Sequence, residues 1–103
     1  MYALAVRFDV RDEEAVAQFD ALARNLVEQI EANEPGTLLY ATHTVEGEPL
    51  ARLFYEVYAD EDAFRAHQDA EYVKAFLTAR VPLLADRRVE RLRPAFAKGL
   101  RRG

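Results

Sequence analysis

Apolar residues in this chain change their spacing from every second position to every third or fourth and back again, and that alternation of periods restricts the possible folds more than any single motif. From Tyr2 to Val10, Leu4, Val6, Phe8 and Val10 alternate with Ala3, Ala5, Arg7 and Asp9, the pattern of a half-buried strand. Over residues 13–33, Val16, Phe19, Leu22, Ala23, Leu26, Val27 and Ile30 make one helical stripe, with Asp12 placed to cap it and Glu13 and Glu14 at the positive end of its dipole. Asn33, Glu34, Pro35 and Gly36 stop that helix, because proline disfavours helical geometry in the residue before it and glycine permits a reversal.

Residues 37–45 (TLLYATHTV) and 51–59 (ARLFYEVYA), rich in aromatic and β-branched residues, flank a short loop over 46–50 and read as a hairpin. Asp60 is expected to cap a short helix through Gln68, and Asp69 a second one from Ala70 to about Val81, where Pro82 bends or ends it. A fourth strand is expected within Arg87–Phe96, followed by a frayed basic end at 97–103. Strand, helix, strand, strand, helix, strand is the order of a ferredoxin-like split βαβ, an α+β fold with helices on one face of an antiparallel sheet, here over residues 1–96. The other face would carry Ala3, Ala5, Leu39, Ala41 and Val45, which suit a second copy of the sheet better than water, so a homodimer is expected.

Length and composition exclude several functions. At 103 residues there is room for one domain. With no Cys there are no disulfides, thiolate metal sites, iron-sulfur clusters or cysteine nucleophiles. Gly occurs only at 36, 47, 99 and 103, so there is no glycine-rich phosphate loop, and the two His residues form no paired metal motif. A net charge of -4 argues against a nucleic-acid partner. The charge is uneven: residues 87–103 hold seven of the fourteen cations, read mainly as a solvated end in preference to an anion site. No cationic leader or membrane-length apolar run is visible, so a soluble, cytoplasmic protein is the expectation, with no membrane partner.

Glu34-Pro35-Gly36-Thr37-Leu38-Leu39-Tyr40, and Phe54-Tyr55-Glu56-Val57-Tyr58 running into Asp60-Glu61-Asp62-Ala63-Phe64-Arg65-Ala66-His67, resemble the antibiotic biosynthesis monooxygenase (ABM) domain family, with its quinol monooxygenase-like members. The similarity spans about residues 2–94. The resemblance implies a dimeric α+β barrel made of two face-to-face sheets, an apolar pocket between each sheet and its helices, and oxygenation of phenols, quinols or aromatic polyketides by O2 with no metal, flavin or haem cofactor. The chain departs from the family in having Tyr58 where Trp is common, and Ala70-Glu71-Tyr72-Val73 in place of a Ser-Pro-His-Phe stretch.

Without a cofactor the substrate must supply the electrons, leaving the protein to bind a flat ring, exclude water and accept a phenolic proton. His67, one turn beyond Phe64, is the expected base, with a helix-end histidine bonded to backbone as its structural alternative. Tyr40, with Leu38 and Thr42, is placed on the helix-facing side of its strand as a second catalytic candidate. Leu38, Phe54, Tyr58, Phe64, Tyr72, Phe76 and Arg80 are the expected substrate contacts, Arg80 being able to orient an anionic quinol or carboxylate. His43 is expected on the dimer side. The face of strand 51–59 that looks inward is left open, Glu56 being read either as a base or, by preference, as an inter-subunit hydrogen-bond partner.

Haem degradation in the same superfamily needs an Asn on the first strand and a Trp, whereas this chain has no Trp and only Asn25 and Asn33. An isomerase would want a more polar pocket. A non-catalytic dimeric ligand-binding or structural module is the main alternative; a space between sheet and helices filled by Phe19, Leu22, Phe64 and Phe76 would favour it, and a cavity of about 300 Å³ or more with a Tyr or His at its wall would favour the enzyme.

Overall fold

A computed structural model describes residues 1–100, so part of the expected basic end, residues 101–103, lies outside the described residues. The elements run β1 (Tyr2–Val10), α1 (Glu13–Asn33), β2 (Thr37–Val45), β3 (Glu48–Tyr58), α2 (Glu61–Asp69), α3 (Glu71–Ala79), a 3-10 turn (Val81–Leu83) and β4 (Leu84–Leu92). The strands form one antiparallel sheet in the order β2-β3-β1-β4, which is the ferredoxin-like arrangement expected from the alternating periods.

The caps act as their residue types predict. Asp12 accepts from the Ala15 amide at 2.9 Å and Asp60 from the Ala63 amide at 2.8 Å. Asp69 does not cap α3. It is the last residue of α2, and the single extended residue Ala70 separates the two helices with no side-chain cap. α3 also stops at Ala79, short of Val81, because Val81 precedes Pro82 and the chain tightens into the 3-10 turn. The Arg11 amide and guanidinium hold that turn through the Leu83 and Pro82 carbonyls, both at 2.8 Å.

Two strand boundaries differ from expectation for the same reason, namely that pairing with the neighbouring strand sets their length. β3 begins at Glu48 because the hairpin reverses over Glu46 and Gly47 alone, with Gly47 at φ 77. β4 runs over 84–92, three residues earlier than the expected start, because Leu84 pairs with Val10 and Leu92 with Ala3; it ends with β1, ahead of Pro94.

One face of the sheet packs on the helices. Phe8, Phe19 and Phe54 are almost fully buried there and pack ring against ring, Phe8 on Phe54 at 4.7 Å and Phe8 on Phe19 at 5.2 Å. α1 contributes Ala15, Phe19, Ala23, Leu26 and Ile30 to this core. On the opposite face Ala5, Leu39, Ala41, Leu53 and Tyr55 are half-buried, while Ala3 and Val57 are already buried within the protomer, so that face is less bare than the sequence implied.

Gly36 locks the junction of α1, β2 and α2. A Cβ placed there would stand 2.8 Å from the Ala63 Cβ, and the Gly36 carbonyl accepts from the Ala59 amide at 2.9 Å. Gly36→Ala should therefore destabilise the fold by about 1–3 kcal/mol through overpacking against α2. Thermal unfolding checks this, and an unchanged melting temperature would show that Ala63 yields freely.

Candidate functional site

The site is assembled from rows of residues that cross the sheet on its helix-facing side. Tyr40 on β2 stands opposite Glu56 on β3, Glu56 opposite Leu4 on β1, and Leu4 opposite Arg91 on β4. Phe54, Glu56 and Tyr58 thus look toward the helices. This answers the open question about β3 and places Glu56 in the protomer's interior, away from the outer face where an inter-subunit partner would stand.

Above these rows, between sheet and helices, lies a cavity of about 180 Å³ lined among others by Tyr40, Glu56, Phe64, His67, Phe76 and Arg80. The exposed lining residues Gln68, Arg87 and Arg91 mark its mouth. Its volume is below the threshold set from sequence, so by that measure it does not favour the enzyme over the binding module; it is still larger than the roughly 150 Å³ that holds one benzene ring.

His67 is 3% exposed. Its Nδ1 lies 2.8 Å from Glu34 Oε1 and 3.1 Å from Oε2, not against backbone carbonyls as the structural alternative would require. The ring packs on Tyr58 at 5.3 Å and Tyr40 at 5.6 Å between centroids. Burial pulls His67 below its ordinary value, with the Glu34 carboxylate acting against it. At neutral pH the imidazole is therefore neutral, with Nδ1–H donating to Glu34. Nε2 has no partner among the described residues, yet no buried side-chain nitrogen or oxygen is left unsatisfied, so Nε2 is open to the cavity.

Glu34 was missed as a site residue in the sequence, where it read as part of a helix stop and of the stretch that resembles the family. Its side chain is 9% exposed and sits at the C-terminus of α1, where the helix dipole disfavours a carboxylate. Three side chains offset that cost: the Thr37 hydroxyl donates to Oε1 at 2.6 Å, His67 donates from Nδ1, and the Tyr72 hydroxyl donates to Oε2.

Glu56 is the second buried carboxyl. Tyr58 donates its hydroxyl to Glu56 Oε1 at 2.6 Å. Burial nevertheless pushes the Glu56 carboxyl up to about 7, the hydroxyls of Tyr58 and Tyr40 acting the other way. Both phenols are pushed upward by burial and by the Glu56 charge, so they stay protonated donors. Arg80 lies over the rings of Phe8 and Phe76 at 5.3 and 5.7 Å.

Of the nine residues singled out from sequence, His67, Tyr40, Phe64, Phe76 and Arg80 line the cavity. Tyr58 and Tyr72 stand one layer back, bonded to Glu56 and Glu34. Phe54 is 1% exposed and lies in the core beneath. Leu38 is not in the cavity at all: the register shift between Thr37 and Leu39 turns it outward, 49% exposed. His43 lies on the edge strand with Nδ1 2.9 Å from the Leu53 carbonyl oxygen. Among the described residues no group of three or more His, Asp or Glu could hold a metal ion, and no helix is long and apolar enough to cross a membrane.

The sequence pattern of antibiotic biosynthesis monooxygenases matches residues 1–79. The chain belongs to this family. That match ends before β4, short of the 2–94 span seen from the residues, but structural likeness carries further. A Caulobacter crescentus protein named a candidate antibiotic biosynthesis monooxygenase is 27% identical over 92% of this chain and 90% of its own, with a TM-score of 0.86. At 21% identity, a similarly named protein from Bacteroides thetaiotaomicron covers 97% of this chain and 93% of its own at a TM-score of 0.87. One from Nitrosomonas europaea, 20% identical, covers 93% and 100% at 0.82. The latter two speak for the fold alone. No curated protein matches the chain.

The buried carboxyl of Glu56 has a measurable signature. Its folded value of about 7 lies above the ordinary 4.5, so the folded state keeps this proton longer than the unfolded state does. Stability from this group is full below about 4.5 and falls as pH rises toward 7, by roughly 3 kcal/mol at about 1.4 kcal/mol per unit. Denaturant unfolding should therefore show Glu56→Gln gaining stability relative to wild type, by about that amount, between pH 4.5 and 8. A difference that does not change with pH would mean that Glu56 titrates normally.

Proposed function

We propose that this protein is a cofactor-independent monooxygenase that oxidises a single-ring phenol or quinol with O2, acting as a homodimer paired through the outer face of its sheet. The observation that supports this most is the neutral His67, oriented by a buried carboxylate with its free Nε2 at the wall of a ring-sized cavity. Family membership and the likeness to proteins named as monooxygenases support the reaction class. The cavity volume favours one ring over a fused polyketide.

In this reading the quinol ring lies against Phe76 and Tyr40. His67 Nε2 takes the phenolic proton, and Glu34 stabilises the resulting imidazolium. The quinolate passes one electron to O2, and the radical pair combines at a ring carbon bearing hydrogen. The peroxide then takes up a proton; Glu56, which titrates near neutrality, is placed to exchange it through the Tyr58 and Tyr40 hydroxyls. Loss of water gives the hydroxylated quinone. One oxygen atom stays on carbon, the other leaves as water, and the ring supplies all the electrons: quinol and O2 become hydroxyquinone and water.

Metal-stripped protein given a panel of hydroquinones should consume O2 above the blank and, under ¹⁸O2, place one labelled atom in the product. His67→Ala should slow turnover by about one to three orders of magnitude. The kcat/KM profile should lose activity at acid pH as His67 protonates, below the ordinary histidine range. No uptake across the panel, or unchanged rates in the variant, would count against this reading.

A further inference from the structure

The cavity mouth is basic in a chain whose net charge is -4. Arg87 and Arg91 leave β4 on its helix-facing side, opposite Phe8 and Leu4, while Arg80 reaches over Phe8 and Phe76 from the end of α3. All three line the cavity, and Glu56 is the only acid among the lining residues. Elsewhere among the described residues every arginine but the exposed Arg24 holds a carboxylate: Arg7, Arg11, Arg52, Arg65, Arg88 and Arg93. Among the described residues Arg80 and Arg87 hold none, and Arg91 donates to the Tyr2 hydroxyl at 2.7 Å.

Arg80 is half-buried and feels the charge of Arg87, both of which disfavour its protonated form. Glu56 acts the other way, but that one carboxyl, itself pushed up to about 7 by burial, does not balance three guanidiniums around one cavity. A bound anion would supply that balance, and a planar carboxylate fits the guanidinium fork.

We infer that the occupant of this cavity is an anionic single-ring phenol, its carboxylate held at the mouth by Arg80 and Arg87 while its hydroxyl faces His67. This rests on the cavity being the quinol site and adds the charge of the substrate. The ring then has one orientation, with its apolar body on Phe76 and Phe64 and its two polar ends on opposite walls.

Calorimetric titration without oxygen, at low salt and pH 7, compares 2,5-dihydroxybenzoate, its methyl ester and plain hydroquinone on wild type, Arg80→Gln and Arg87→Gln. Wild type should bind the carboxylate about ten- to a hundredfold more tightly than the ester. Arg80→Gln should lose that preference. Arg87→Gln, changed at an exposed position where folding is not at stake, should reduce it. Equal affinity for acid and ester, a preference that survives both substitutions, or no binding of any of the three would overturn the anion site. Because binding is read without O2, a clear preference for the acid with no oxygen uptake would leave the anion site standing and remove the monooxygenase reading. Uptake without preference would do the reverse.

Discussion

A carboxylate at the wrong end of a helix organises this molecule. Glu34 closes α1 where the dipole repels it, in a place with little access to water, and it persists because Thr37, His67 and Tyr72 all donate to it. Those donors come from β2, α2 and α3, so the same carboxylate that fixes the tautomer of His67 also ties three elements to the end of a fourth. Gly36, two residues on, lets α2 approach closely enough for the histidine to reach.

The sheet supplies the rest by register alone. A strand exposes alternate residues to each face, so placing Tyr40 opposite Glu56 and Glu56 opposite Leu4 puts a phenol, a carboxyl and an apolar floor in one line beneath the helices. Glu56 and His67 are shifted in opposite directions from their ordinary values by the same burial. Two titratable groups shifted in opposite directions thus line one small cavity, a combination that simple hydrophobic packing does not require.

The alternating periods made the fold legible, since β1 and the stripe of α1 follow directly from the spacing of Leu4, Val6, Phe8 and of Phe19, Ala23, Leu26. Boundaries were less so. Asp69 looked like a cap because aspartate before a helix usually is one, and β4 was placed late because its exposed edge position leaves few apolar residues to betray it. His67, Tyr40 and Phe76 were legible by face. Leu38 was not, because a register shift is invisible to a period-two count, and Glu34 was not, because its partners lie as far along the chain as Tyr72. The mouth arginines were hidden within a generally basic C-terminal segment; only the pairing of β4 with β1 turns Arg87 and Arg91 toward the cavity.

Burial keeps His67 neutral and Glu34 fixes its proton on Nδ1, leaving Nε2 toward the cavity, and nitrogen NMR of the imidazole reads that directly. At pH 7 the ring of His67 should show a protonated Nδ1 and an unprotonated Nε2 in wild type. A ring protonated at Nε2 alone, or at both nitrogens, would contradict the account.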